Sequence, residues 1–213
     1  MVLIEAEQRS LADERVARRT QPHADAYAEE LADLIRAAFT VVAETGTLDP
    51  PVREILRTAG LSNQAFYRHV DSKDELLLLM LDEGRRSLVS YLERRMAPCT
   101  TPQDRLDVWT RGVLAQASDA DAARRTRPFL AQADRLAELF PDEQRRSEDL
   151  LIRQVADAGD TDDAGATAIY DLAFGALGRA LRRGNALTGE QLDRLVQLVL
   201  AVAGETTIER KVS

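Results

Sequence analysis

Apolar side chains recur at three- and four-residue intervals along almost all of the chain, and no apolar-polar alternation runs long enough to make a strand. That spacing gathers apolar groups on one face of a helix, so the sequence specifies an all-α fold. The first firm helix is predicted over 24–45, with Leu31, Leu34, Ile35, Ala38, Phe39 and Val42 as its buried stripe. Gly46 closes it, where glycine adopts positive φ cheaply. A short helix follows from Pro50 or Pro51 to Thr58, with Asp49 suited to its N-cap. Ala59-Gly60-Leu61 turns the chain, Ser62 caps a third helix to about His69, and Ser72-x-x-Glu75 is a capping box opening a fourth.

The fourth helix carries the unbroken run from Leu76 to Leu81, apolar all round, which must be covered on most sides and reads as a connector between two domains. Beyond Pro98 the pattern restarts behind Thr101-Pro102, with helices expected at about 103–118, 127–140 and 141–159. The last two, about 162–183 and 190–204, are joined through Gly184-Asn185-Ala186-Leu187 and a Thr188-x-x-Gln191 capping box into an αα-hairpin. Ile169, Leu172, Phe174 and Leu177 on one, with Leu195, Leu198, Leu200 and Val202 on the other, give more apolar cover than one core requires. The surplus predicts a partner surface over 162–204. The expected organisation is a flexible arm over 1–23, a small domain over 24–72 and a larger helical domain over 73–213.

At 45% hydrophobic and 30% charged residues the chain has the balance of a soluble globular protein. The N-terminal apolar run is only Val2-Leu3-Ile4, and no stretch approaches the ~18 apolar residues of a membrane span, so a cytoplasmic location without a membrane partner is expected. A lone cysteine, Cys99, and two histidines, His23 and His69, without ligand neighbours at useful spacing, argue against a metal or cofactor site. With no glycine-rich phosphate loop and no nucleophile-base motif, an enzyme is not expected either.

A net charge of -8 opposes indiscriminate attraction to a polyanion, but Val52 to Lys73 carries a local +2 from Arg53, Arg57, Arg68 and Lys73 against Glu54 and Asp71. Two short helices meeting at Gly60 have the geometry that lets the second stand out into a major groove. At about 100° per residue, Phe66 and Val70 face inward while Gln64, Tyr67 and Arg68 gather outside. Glutamine pairs with adenine, arginine with guanine, and tyrosine meets a phosphate or a thymine methyl. Asn63 adds an amide, and Lys73 and Arg53 suit backbone phosphates. Spacing alone is equally compatible with a helical interaction protein that never touches DNA.

Leu34-Ile-Arg-Ala-Ala-Phe39, Glu44-Thr-Gly46, Val52-Arg-Glu-Ile55, Ala59-Gly-Leu-Ser62, Ala65-Phe-Tyr-Arg-His-Val70 and Ser72-Lys-Asp-Glu-Leu76 together resemble the N-terminal domain of the tetracycline-repressor (TetR) family over some 45 residues. The resemblance implies a three-helix helix-turn-helix domain, a larger helical domain for ligand binding and for homodimer formation through the surface over 162–204, and repression of palindromic operator DNA relieved by a small-molecule effector. It places DNA contacts on Asn63, Gln64, Tyr67, Arg68 and Lys73. Where the family usually has a threonine or serine capping the second helix, this chain has Pro50-Pro51, so that phosphate contact must be lost or replaced by Arg53 or the arm. For the effector, Tyr91, Trp109, Phe129, Tyr170 and Phe174 are candidate pocket residues, with Arg111, Arg124, Arg125 or Arg127 for an anionic group.

Overall fold

The computed structural model describes residues 24–47, 49–184 and 187–212; the expected arm over 1–23 and the Asn185-Ala186 link lie outside the described residues. The described residues are helix and turn throughout. In chain order they form α1 (Ala24–Thr45), α2 (Val52–Ala59), α3 (Asn63–His69), α4 (Lys73–Met96), α5 (Pro102–Ser118), α6 (Ala120–Leu139), α7 (Pro141–Gly159), α8 (Asp163–Arg183) and α9 (Gly189–Val212).

Most boundaries fall within one residue of expectation, and the exceptions have local causes. α6 begins at Ala120 rather than near Arg127, because Asp119 accepts the Ala122 N–H at 2.7 Å and restarts the helix at once; it then runs on through Pro128. α9 passes through Gly204 instead of stopping there. α2 begins behind Pro51, which offers no side-chain cap, so Asp49 is not the N-cap it was expected to be.

The chain divides into two compact units. One comprises the residues up to Gly84 together with Ala131–Gln144; the other comprises Arg85–Leu130 and the residues from Arg145 onward. The division thus falls inside α4 rather than at residue 72.

In the first unit α1 packs on α2, and α2 meets α3. Leu31, Leu34, Ala38 and Val42 from α1, Ile55 and Leu56 from α2, and Phe66 with Val70 from α3 and its end are all buried. Gly60, at φ 68°, closes α2, and the N–H of Leu61 returns to the Leu56 carbonyl at 3.0 Å. Only a residue free of Cβ crowding takes that turn cheaply, and it frees the chain to start α3 three residues later, at Asn63. Ser62 caps α3 by accepting the Ala65 N–H at 3.1 Å. The run Leu76–Met80 is buried on every side. Ser72 caps the start of α4 through the Glu75 N–H, while the Glu75 carboxylate reaches back to the N–H of Asp71 at 2.6 Å, one residue before the usual capping-box partner.

In the second unit α5, α8 and α9 pack against one another. Leu106, Trp109, Val113, Ile169, Leu177 and Val199 form the centre of their core. Asp162 caps α8, and Thr188 and Gln191 make a complete capping box at α9, with reciprocal bonds of 3.0 and 3.2 Å. Arg111 links α5 to α9 through Asp193 at 2.7 Å, and that bond is the main cause of its pKa being raised.

α5 lies against α4 at Gly112, where a Cβ would run into Cδ2 of the fully buried Leu92. Gly112→Val should therefore destabilise the protein by about 1–3 kcal/mol through overpacking, in spite of the better helix propensity of valine. Thermal unfolding measures this, and an unchanged or raised midpoint would show that the contact yields freely.

Candidate nucleic-acid interface

α3 turns two different faces to its surroundings. Ala65, Phe66 and His69 are buried, whereas Asn63, Gln64, Tyr67 and Arg68 are exposed, Tyr67 at 64% being the most exposed large apolar side chain among the described residues. A tyrosine held in water on a seven-residue helix is not there for packing. The row combines amide, phenol and guanidinium groups, the chemistry that meets base edges and phosphates. Arg53 is also exposed, near the start of α2.

Two of the expected contact residues are already engaged. The Arg68 guanidinium donates to Oε2 of Glu30 on α1, and the same oxygen stands 2.9 Å from Nε2 of the buried His69. One turn earlier on α1, Tyr27 donates its hydroxyl to the Arg68 carbonyl at 2.9 Å, and its ring lies 4.2 Å from that of His69. The C-terminal turn of α3 is therefore gripped by α1, and a carbonyl with no partner within its helix is satisfied. Lys73, expected to be free for a phosphate, is bound by the Asp49 carboxylate from the loop before α2. Asp49 has moved from the expected capping role to a charge partner because Pro51 occupies the cap position.

Charge follows the same contacts. His69 first, and Arg68 second, hold the Glu30 carboxyl below its ordinary value of 4.5, and Lys73 does the same for Asp49. Both carboxylates are thus ionised where the protein would meet nucleic acid at neutral pH. Arg135 on α6 adds a further ion pair in this unit, to Asp74 at 2.6 Å.

In the second unit, three of the expected pocket residues come together. Tyr170 stacks on Phe174 with centroids 4.4 Å apart, and Trp109 meets Phe174 edge-on at 6.4 Å. Trp109 is fully buried and donates its indole N–H to Gln154 at 3.1 Å, so its polar atom serves the core. Burial pushes the Tyr170 phenol up to about 12, and Arg85 bonds it. Arg85 also pairs with Glu148 at 3.0 Å. Tyr91 lies under Arg95, 5.7 Å from its ring centroid, and Phe129 is buried on α6. Arg127 donates from Nε to the Leu181 carbonyl at 3.0 Å, closing the end of α8, and Arg111 is held by Asp107 and Asp193. In this structure both arginines join helices, Arg127 reaching α8 and Arg111 reaching α9.

Residues 34–80 match the family model described as bacterial regulatory proteins, tetR family. The N-terminal domain belongs to the tetR family. Solved structures similar to the chain share its fold at low identity. A TetR transcription regulator from Haloarcula marismortui ATCC 43049 is 20% identical over 84% of this chain and 98% of that one, with a TM-score of 0.63. The reduced form of E. coli NemR is 18% identical over 81% and 96%, at 0.59. FadR from Bacillus subtilis in complex with stearoyl-CoA is 18% identical over 81% and 96%, at 0.55. No curated protein matches the sequence. Among the described residues no helix is long and apolar enough to cross a membrane.

Within the first unit, the outward row was legible in the sequence, while Tyr27, Glu30 and the buried side of His69 were missed. The signal was present: Tyr27 and Glu30 are spaced i, i+3 beside the stripe that begins at Leu31, and a histidine followed by an inward Val70 ends α3.

Because Glu30 is more acidic folded than unfolded, its contribution to stability is complete above its ordinary value of 4.5 and is lost as pH falls through the lower folded value. Over that acid range wild type should lose thermal stability more steeply than Glu30→Gln, which carries no titrating group there. Parallel melting curves for the two proteins would remove Glu30 from the linkage.

Proposed function

We propose that the chain is a ligand-responsive transcriptional regulator, a repressor, that binds palindromic operator DNA as a homodimer and is released by a small-molecule effector. The observation that carries this reading is the exposed row Asn63, Gln64, Tyr67 and Arg68 on a helix whose opposite side is buried, set in a tetR-family domain. Arg53 and Lys73 are assigned to backbone phosphates, which position the protein without reading sequence. In this reading Lys73 exchanges Asp49 for a phosphate on binding. Two recognition helices of a dimer lie about 34–36 Å apart on one face of DNA, one turn of the duplex.

The dimer surface is assigned to α8 and α9. They border a groove of about 300 Å³, floored by Ala176, Ala180, Leu195 and Leu198 and edged by Arg179, Arg183 and Arg194. Leu198 is 49% exposed, unusual for a leucine in the middle of a long helix. The effector is assigned to the second unit beside the Trp109, Tyr170 and Phe174 cluster, with Tyr91 and Phe129 as further apolar groups. The stearoyl-CoA bound to the similar FadR structure makes a small-molecule ligand a reasonable expectation for this fold. An effector releases DNA only if it binds the DNA-incompetent state more tightly. α4 runs without a break from Lys73 to Met96 and so supplies residues to both units, which makes it the natural carrier of that difference.

Purified protein incubated with fragmented DNA of the source genome should retain a palindrome, and the triple variant Gln64→Ala, Tyr67→Ala, Arg68→Ala should not. Retention of nothing at low salt would leave a helical protein that does not bind DNA. Separately, Leu198→Glu should convert a dimer to monomer in sedimentation analysis and abolish operator binding, since a charge there would be buried unpaired. A variant that sediments as wild type would move the dimer surface elsewhere.

A further inference from the structure

We infer that Glu30 is a positioning residue for DNA reading: from α1 it sets where the Arg68 guanidinium stands on the outward face of α3, so base choice at Arg68 depends on a carboxylate one helix away. This rests on the DNA-binding reading above and adds to it a residue outside the helix-turn-helix.

The geometry supplies a chain of constraint from the core to the surface. His69 is fully buried, and its ring is fixed by Tyr27 on one side and by Glu30 at 2.9 Å on the other. The Glu30 oxygen that receives His69 is the one that receives Arg68, so its position is dictated by a group that cannot move without opening the core. Tyr27 meanwhile holds the Arg68 carbonyl, so backbone and head group of the same residue are both tied to α1. The Arg68 side chain is still 49% exposed, and a guanidinium has five N–H donors, so it can engage Glu30 and still turn donors outward to a base. An arginine fixed in this way surrenders less side-chain freedom on meeting guanine than one waving in water, and it presents its fork in one direction. The depressed pKa of Glu30 agrees with a carboxylate that stays charged in this role. The competing possibility is that Glu30 merely occupies Arg68 and must be displaced by DNA. Sharing one oxygen with a buried histidine favours the positioning role, because Glu30 stays in place whatever Arg68 does.

The test uses the full chain, the DNA fragment retained above, and variants of it with one base pair changed at a time. Binding is measured for wild type, Arg68→Ala, Glu30→Gln and the double variant. Glutamine keeps an oxygen for the His69 N–H and removes the charge that holds Arg68. Wild type should discriminate about 5- to 150-fold at the base pair Arg68 reads. Arg68→Ala should lose that ratio, Glu30→Gln should lose most of it, and the double variant should be no worse than Arg68→Ala alone. The ratio is taken within one preparation, so any unfolded fraction cancels. Glu30→Gln that weakens all sequences equally while keeping the ratio would reduce Glu30 to a structural part, and tighter binding with the ratio intact would make it a competitor; either overturns the inference. Failure of wild type to retain any fragment would instead bring down the regulator reading itself.

Discussion

α3 has seven residues, and a helix of that length has no stability of its own in water, where the cost of nucleation is recovered only over about 12–15 residues. Everything the outward face of α3 does depends on what holds its inward face. Phe66 and Val70 supply the apolar anchor, Ser62 ties the first turn, and α1 supplies the rest through Tyr27 and Glu30. The hydrogen bonds are not decoration on a packed core. They meet α3 at its C-terminal turn, where carbonyls would otherwise lack partners, and they fix rotation about the helix axis, which apolar contact alone leaves loose.

The fold was readable where local chemistry decides it. Gly60, Ser62, Asp162 and the Thr188-Gln191 box each act within a few residues, and the helix ends they set were found almost to the residue. The early start of α6 was missed because Pro128 looks like a helix start, while the cap that does the work, Asp119, is also the last residue of the preceding turn. The site was half readable for the same reason. Helical periodicity separates Gln64, Tyr67 and Arg68 from Phe66 with no knowledge of the rest of the chain. The partners of Arg68 and Lys73 lie 38 and 24 residues away, and no periodicity along one helix reveals them.

The aromatic cluster of the second unit shows how such distant pairings change the meaning of a residue. Trp109, Tyr170 and Phe174 do assemble, yet the indole N–H is consumed by Gln154, whose own amide donates to the Val89 carbonyl at 2.9 Å. A buried tryptophan with its one polar atom satisfied internally is held rigid. The charged groups acting on Tyr170 include Arg85 and Glu148, neither conspicuous in the sequence, since arginine and glutamate spaced along helices normally mean a solvated face.

An acidic chain that meets a polyanion must limit repulsion without becoming sticky, and the pairing of its outward cations is one way to do so. With a net charge of -8, the protein gains nothing from long-range attraction to DNA at large. Lys73 and Arg68 each rest on a carboxylate supplied by the same compact unit, so neither is an unpaired charge seeking any phosphate. The Lys73–Asp49 pair, whose carboxylate is exposed, is weakly held and screened by salt, so in the proposed complex a correctly placed phosphate competes for Lys73 at small cost. A misplaced one has to break the pair without the compensation of the full set of contacts. In the proposed DNA-binding role, this pairing of Lys73 and Arg68 works against non-specific DNA through the carboxylates of α1 and of the loop before α2 rather than through α3 itself.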